Sequence, residues 1–386
     1  MSIAKPALER LPQLIDPAET PRLVIKVGSA LLVGKDGEPR RAWLAALVAE
    51  IAAARARGQD VIIVSSGAIA LGARKLGLAR GGRGSLADAQ AAAAVGQIAL
   101  AGLWAELLAA HGLIAAQVLL TLEDLEDRRR YLNVTATLGT LLASGAVPVI
   151  NENDTVATEE IRFGDNDRLA ARVGQAAGAS AVLLLSDIDG LYDRDPRMEG
   201  AVRIPVVRGV TPEIHAMATA GSSSGLGSGG MTSKLQAAEI AGLAGIALAI
   251  MDGRPESPIA AALGAERGTL FCPPPRAGRK ARARKAWLGG KLRMKGAVHV
   301  DAGAVAALAR GSSLLAAGVT QVDGTFLRGD AIAVLGPDSE VLARGLCEYD
   351  AAECAALMGH ASAEHEALLG YAPRSALIHR DQLVML

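Results

Sequence analysis

Short, continuously apolar runs alternate along this chain with long alanine- and leucine-rich stretches, and that alternation restricts it to one class of fold. The runs are Leu23–Val27, Val61–Val64, Ala116–Leu120, Val147–Ile150, Ala181–Leu185 and Ile246–Met251. Several are continuously apolar with Val and Ile, as strands covered on both faces require. Between them Ala42–Arg57, Ala87–Ala110 and Arg130–Ser144 are long enough for helices. Alternating β and α segments predict an α/β fold, a mainly parallel sheet with helices on both faces. Aromatic residues make up only 3% against 51% hydrophobic, so the core is built from Ala, Leu, Val and Ile. In such sheets ligands collect at the carboxyl ends of the strands. The unusual residues of this chain fall there.

Length and charge bound the rest. A chain of 386 residues holds two domains, or one large domain with an appendage. Its formal net charge is zero, which argues against nucleic acid as an obligatory partner of the whole protein. The zero conceals a basic run, Arg276 to Lys295, that contains no acid. Cys272, Cys347 and Cys354 have neither metal-ligand nor paired spacing, which fits a reducing compartment. Prolines and polar residues break Met1–Pro21, so no signal peptide is expected there. The most apolar stretch, Ala91–Ala110, is interrupted by Gln97, Gly102 and Glu106 and reads as a buried helix rather than a membrane span. The expectation is a cytoplasmic protein without a membrane partner.

Two lysines stand out in a chain whose 40 basic residues are mostly arginine. Lys26 ends an apolar run just before Gly28-Ser29, and Lys234 closes the glycine-rich loop Gly225–Lys234. A compact ammonium against backbone-exposing glycines suits a phosphoryl group. Either lysine alone reads equally well as an edge or helix-start residue. Four further strand ends carry polar clusters: Ser65-Ser66-Gly67-Ala68, Asn151-Glu152-Asn153-Asp154, Phe163-Gly164-Asp165-Asn166-Asp167 and Ser186-Asp187-Ile188-Asp189. Turns and helix caps account for part of each. The carboxylates after Ser186 also suit Mg²⁺, directly or through water.

Two motifs compete for the glycine loop. Leu235 follows Lys234, so the Ser or Thr of a Walker A loop is missing. Gly225, Gly227 and Gly230 spell a formal GxGxxG, with Asp252 further on. The segment before it does not read as a strand, so the dinucleotide fingerprint lacks its context. A loop whose amides, with the following helix N-terminus, hold nucleotide phosphates is more economical.

Taken together, IKVGS, SSGAIA, PVINENDTVA, FGDND, LLLSDIDGLYDRDPR and SGLGSGGMTSK, in that order, resemble the glutamate 5-kinases of the amino-acid kinase family. The resemblance runs from about Pro21 to the C-terminus. It implies a three-layer α/β/α sandwich and ATP-dependent phosphorylation of L-glutamate on its γ-carboxylate, the first step of proline biosynthesis. By the same resemblance Lys26 and Lys234 flank the moving phosphoryl group and Asp167 orients them. Ser66, Gly67, Asp154, Asp165 and Asn166 match the glutamate site. Ser186, Asp187, Ser228, Gly229, Gly230, Met231, Thr232, Ser233 and Lys234 match the ATP site. ATP and Mg²⁺, feedback by proline, homo-oligomers and handover to a glutamyl phosphate reductase are further implications. Arg162 and Ser186 stand where lysine and threonine are frequent. A sister kinase acting on N-acetylglutamate or aspartate is the alternative reading, and an RNA-binding protein with an inactive kinase domain the rival one.

The resulting domain expectation is an N-terminal extension (1–20), a kinase domain (21–271), a basic linker (272–295), a second module (296–372) and a C-terminal segment (373–386). Short β-like runs at Ala297–Val300, Gly318–Val322, Ala331–Leu335 and Val341–Leu346 make the module resemble a PUA domain, a small β-barrel. The basic run suits RNA, but with Trp287 as its only aromatic it reads better as a solvated linker and packing surface.

Overall fold

The computed structural model describes residues 8–34, 36–156, 165–220, 230–273, 294–371, 374 and 376–385. Contacts divide the chain into two units, Met1–Arg276 and Ala277–Leu386.

The first unit forms its strands in the order β1 (Arg22–Val27), β2 (Asp60–Ser65), β3 (Ala115–Leu120), β4 (Val147–Glu152), β5 (Ala181–Ser186), β6 (Leu191–Tyr192), β7 (Arg203–Ile204), β8 (Val206–Arg208), β9 (Ala247–Asp252) and β10 (Thr269–Cys272). Eight of them make one sheet, ordered β3-β4-β2-β1-β5-β9-β10-β8. All pairings in it are parallel except β10 against β9. The mainly parallel sheet expected from the apolar runs is therefore present. The small strands β6 and β7 pair separately, and β8 and β10 are too short to register as runs in sequence.

Ten helices accompany these strands among the described residues. Those before β5 are α1 (Ser29–Leu32), α2 (Arg41–Ala56), α3 (Ala68–Lys75), α4 (Leu86–Ala109), α5 (Leu122–Glu126), α6 (Arg128–Ala143) and α7 (Asp165–Ala177). After it come α8 (Pro212–Ala220), α9 (Gly230–Ala244) and α10 (Pro258–Gly264). Alternation along β1 sorts the core. Leu23, Ile25 and Val27 pack with Trp43, Leu47 and Trp104 of α2 and α4, whereas Val24 packs with Leu169 and Val173 of α7 and Leu235 of α9. Period-2 geometry then puts Lys26, two residues past Val24, on the face of α7 and α9.

The segment ahead of β1 is part of this core. Leu8, Leu11 and Leu14 are buried, and Gln59 Nε2 donates to the carbonyls of Leu14 and Thr20, each at 2.7 Å. Helix α4 is long and apolar enough, by length and composition, to cross a membrane. One face, including Leu100, Leu103, Trp104 and Leu108, packs into the sandwich, while Ala91, Ala94 and Ile98 stay exposed. It is half-buried, not enclosed as the sequence reading had it.

Helices α3 and α4 cross backbone to backbone. A Cβ added at Gly96 would sit 1.8 Å from the Ala68 carbonyl oxygen, and one at Gly72 1.8 Å from that of Ala92. No rotamer relieves such a clash, so the helices must part. Gly96→Ala is expected to destabilise the protein by about 1–3 kcal/mol, the range for overpacked cores. Denaturant unfolding followed by tryptophan fluorescence measures this, and an unchanged midpoint would show that the crossing yields freely.

The second unit holds a five-stranded sheet of β11 (Gly296–Val300), β12 (Val319–Gly324), β13 (Ala331–Leu335), β14 (Val341–Leu346) and β15 (Leu383–Met385), ordered β12-β11-β13-β14-β15. Val298, Ile332, Val334, Ala343 and Tyr349 fill its core. Strand β15 lies in the segment 373–386 that the sequence set apart; it pairs antiparallel with β14, and Leu377 and Ile378 join the same core. Cys347 and Cys354 are buried 3.4 Å apart, sulfur to sulfur. Most of the basic run Arg276–Lys295 lies outside the described residues.

Candidate active site

Lys26, Asp167 and Lys234 meet on one face of the sheet at its carboxyl edge. Lys26 comes from the end of β1, Asp167 from the first turn of α7 and Lys234 from the second turn of α9. Lys26 Nζ lies 2.6 Å from Asp167 Oδ1, and Lys234 Nζ lies 3.1 Å from Oδ2. Lys234 Nζ also donates to the Gly230 carbonyl at 3.3 Å. The carboxylate is 1% exposed and the lysines 8% and 7%, so all three charges are withdrawn from water. Burial is the largest influence on Asp167 and works to raise its pKa. The two ammonium groups together outweigh it and hold the carboxyl below its ordinary value. Asp167 therefore stays ionised, with an ammonium on each oxygen; it positions lysines and is no proton acceptor.

Glycine keeps the approach open. A Cβ at Gly28 would lie 3.7 Å from Lys26 Nζ, against the ammonium itself. Gly67 has a different reason: its φ of +110° at the start of α3 is a conformation that side chains rarely adopt.

On the β2–β4 side the polar residues join into a chain. Asn166 Nδ2 donates to Ser66 Oγ at 2.8 Å and, more weakly, to Asn151 Oδ1 at 3.4 Å. Asn151 Nδ2 donates to Gln97 Oε1 of α4 at 2.8 Å. Trp104 Nε1 donates to Ser65 Oγ at 2.9 Å, which anchors the serine turn from behind. Asp154 is 8% exposed just past β4, with the charge of Arg83 beside it. Asp165 opens α7.

The β5–β9 side carries Ser186, 6% exposed, whose hydroxyl donates to Asp187 Oδ1 at 3.1 Å. Asp189 is engaged by the Tyr192 hydroxyl at 2.8 Å and by Arg267 at 3.2 Å, so it anchors the turn. Gly230, Met231, Thr232 and Ser233 form the first turn of α9. Ser228, Gly229 and Arg162 lie outside the described residues. The segment before the glycine loop is helix α8, not a strand, so the GxGxxG there lacks the context of a dinucleotide site.

Sequence reasoning missed Gln97, Asn151 and Arg83 as site residues. Gln97 did leave a signal, since it breaks an otherwise apolar helix. Asn151 was visible only as part of a polar cluster, and nothing in the sequence separates Arg83 from other loop arginines.

Sequence comparisons agree with this geometry. Residues 21–252 match the amino acid kinase family and residues 296–369 match the PUA domain. A glutamate 5-kinase of Novosphingobium aromaticivorans is 82% identical over 98% of this chain and 100% of its own length. One from Sphingopyxis alaskensis is 60% identical over 97% of this chain and 100% of its own, and one from Zymomonas mobilis is 54% identical over 96% and 92%. The chain belongs to the amino acid kinase family, within the group of its glutamate 5-kinase relatives, and carries a C-terminal PUA domain.

Proposed function

We infer that this protein transfers the γ-phosphoryl group of ATP to the γ-carboxylate of L-glutamate, giving L-glutamyl 5-phosphate for proline biosynthesis. The observation that carries the reading is the order of strand ends. Along the carboxyl edge, β4 and β2 present Asp154, Asn151 and Ser66, β1 presents Lys26, and β5 and β9 present Ser186 and Asp252. We read the first group as the acceptor side and the second as the nucleotide side, on opposite sides of one strand whose lysine shares a carboxylate with Lys234.

The chemistry needs no general base. The γ-carboxylate of glutamate, with a pKa of about 4.3, is ionised at neutral pH and can attack directly. One of its oxygens bonds to phosphorus as the bond to the β-phosphate oxygen breaks, and ADP leaves with the electron pair. Catalysis then consists of aligning two anions and neutralising the charge between them. Lys26 and Lys234 supply that charge from a water-poor site, where it acts most strongly. The N-terminus of α9 would hold the phosphates through its backbone amides.

Mg²⁺ fits this site as part of the nucleotide complex. Among the described residues no three His, Cys, Asp or Glu side chains converge to hold a metal by themselves, and both oxygens of Asp167 are taken by lysine. When bound, the ion would be held with the nucleotide phosphates, Asp187 just past the end of β5 being the carboxylate that could contact it directly or through water, and it would add charge neutralisation. Proline feedback, homo-oligomerisation, transfer of the acyl phosphate to a reductase and a cytoplasmic location complete the proposal.

Hydroxamate formation from L-glutamate, ATP, Mg²⁺ and hydroxylamine tests it, with N-acetylglutamate and aspartate in parallel and with added proline. Product from glutamate alone, suppressed by proline, is expected. Product from another acid would reassign the substrate, and none at all would favour the RNA-binding reading.

A further inference from the structure

We propose that Gln97 is a positioning residue for glutamate, acting through a chain of three amides that sets which end of Asn166 faces the substrate. This rests on the glutamate site inferred above.

An amide side chain has a donor end and an acceptor end, and rotation by a half-turn exchanges them. Each link of the chain therefore fixes the next. Gln97 Oε1 accepts from Asn151 Nδ2, which turns Asn151 Oδ1 toward Asn166. Asn166 answers with Nδ2, shared between Asn151 Oδ1 and Ser66 Oγ. Its own carbonyl oxygen, Oδ1, is then the loose end: it is buried and has no hydrogen-bond partner among the described residues. A buried acceptor left unpaired costs free energy unless a ligand supplies the donor. Glutamate at neutral pH has one donor group, its α-ammonium, because both carboxylates are ionised. The acceptor end of Asn166 therefore suits the ammonium. The Ser66 hydroxyl, already accepting from Asn166, keeps its proton for a substrate carboxylate.

Gln97 is the outermost link and sits on a different layer from the rest. It belongs to α4, whereas Asn151 is the next-to-last residue of β4 and Asn166 lies in the first turn of α7. The tight crossing of α4 with α3 at Gly96 and Gly72, directly beside Gln97, ties its height to the helix that follows Ser66-Gly67. Of the two acceptors of Asn166, Ser66 thus precedes α3 directly and Asn151 is held by Gln97 of α4. Removal of the Gln97 acceptor frees Asn151, and then Asn166, to turn and present an amino group to the ammonium.

Two substitutions of nearly equal length separate the possibilities. Gln97→Met removes the acceptor; Gln97→Glu keeps it. Gln97→Met is expected to raise KM for glutamate about 10- to 100-fold with little change in kcat, in KM for ATP or in thermal midpoint, the pattern of lost uniform binding. Gln97→Glu is expected to stay within about threefold of wild type on the same measures. Glutarate, which lacks the ammonium, serves as a competitive inhibitor, and its Ki is expected to be the same in wild type and Gln97→Met. Equal weakening of glutamate and glutarate, equal loss in both variants, or no loss in Gln97→Met would each overturn the polarity argument. A wild-type protein that neither binds nor phosphorylates glutamate would overturn the substrate reading, and this inference with it. Active wild type beside an unaffected Gln97→Met would overturn this inference alone.

Discussion

Lys234→Ala is expected to lower turnover by about 10²- to 10³-fold, the usual loss when one preorganised charge is removed from a developing anion. Its effect on folding is expected to be much smaller. Asp167 would still have Lys26 2.6 Å away, so the buried carboxylate keeps a counter-charge and a short alanine relieves the burial of an ammonium. The comparison of kcat with the unfolding midpoint of the same variant checks both halves. Near-normal turnover would remove Lys234 from the chemistry. A collapse of stability in parallel would make it a structural lysine.

Asp167→Asn reverses that balance. Two ammonium groups, 8% and 7% exposed, would lose the one carboxylate they share. Breaking a buried pair from one side leaves uncompensated charge, so stability is expected to fall by about 3–5 kcal/mol. Turnover should fall as well, because the lysines repel each other once the carboxylate between them is gone. Trp43 and Trp104 are both buried in the first unit and report its unfolding by fluorescence. Two units can unfold in separate transitions, and the one followed through Trp43 and Trp104 belongs to the first. A stable, active Asp167→Asn would show that other groups position the lysines. The pH dependence follows from the lowered pKa. The ordinary carboxyl value is 3.8, and a folded value below it means the contribution is intact above that pH. It is lost only as pH falls further, through the folded value.

Much of this organisation is legible in the amino-acid sequence. Parallel strands covered on both faces are largely apolar, so β1, β2, β4, β5 and β9 stood out as short apolar runs, and their ends marked the edge where ligands bind. Lys26 and Lys234 were visible because lysine is scarce here and glycines flank both. What stayed hidden had local physical causes. Strands β8, β10 and β15 contain three or four residues and carry no period of their own. The extension before β1 looks like a proline-broken tail, yet leucines placed at Leu8, Leu11 and Leu14 bury it. Gln97 reads as a flaw in an apolar helix until Asn151 is placed beside it, and only tertiary structure does that. The shared carboxylate of Asp167 likewise had no local signal beyond a turn-like Asp-Asn-Asp.

Isotope tracing tests the central claim, direct attack by the substrate carboxylate, most directly. L-Glutamate labelled with ¹⁸O in the γ-carboxylate is turned over with ATP and Mg²⁺ in the presence of hydroxylamine, and the phosphate released is examined for label. Hydroxylamine attacks the acyl carbon and expels phosphate together with the bridging oxygen. If the γ-carboxylate attacked phosphorus, that oxygen came from glutamate, and each phosphate released by hydroxylamine carries one ¹⁸O. Unlabelled phosphate, produced in step with ADP, would mean that water rather than glutamate takes the phosphoryl group, and would contradict the mechanism.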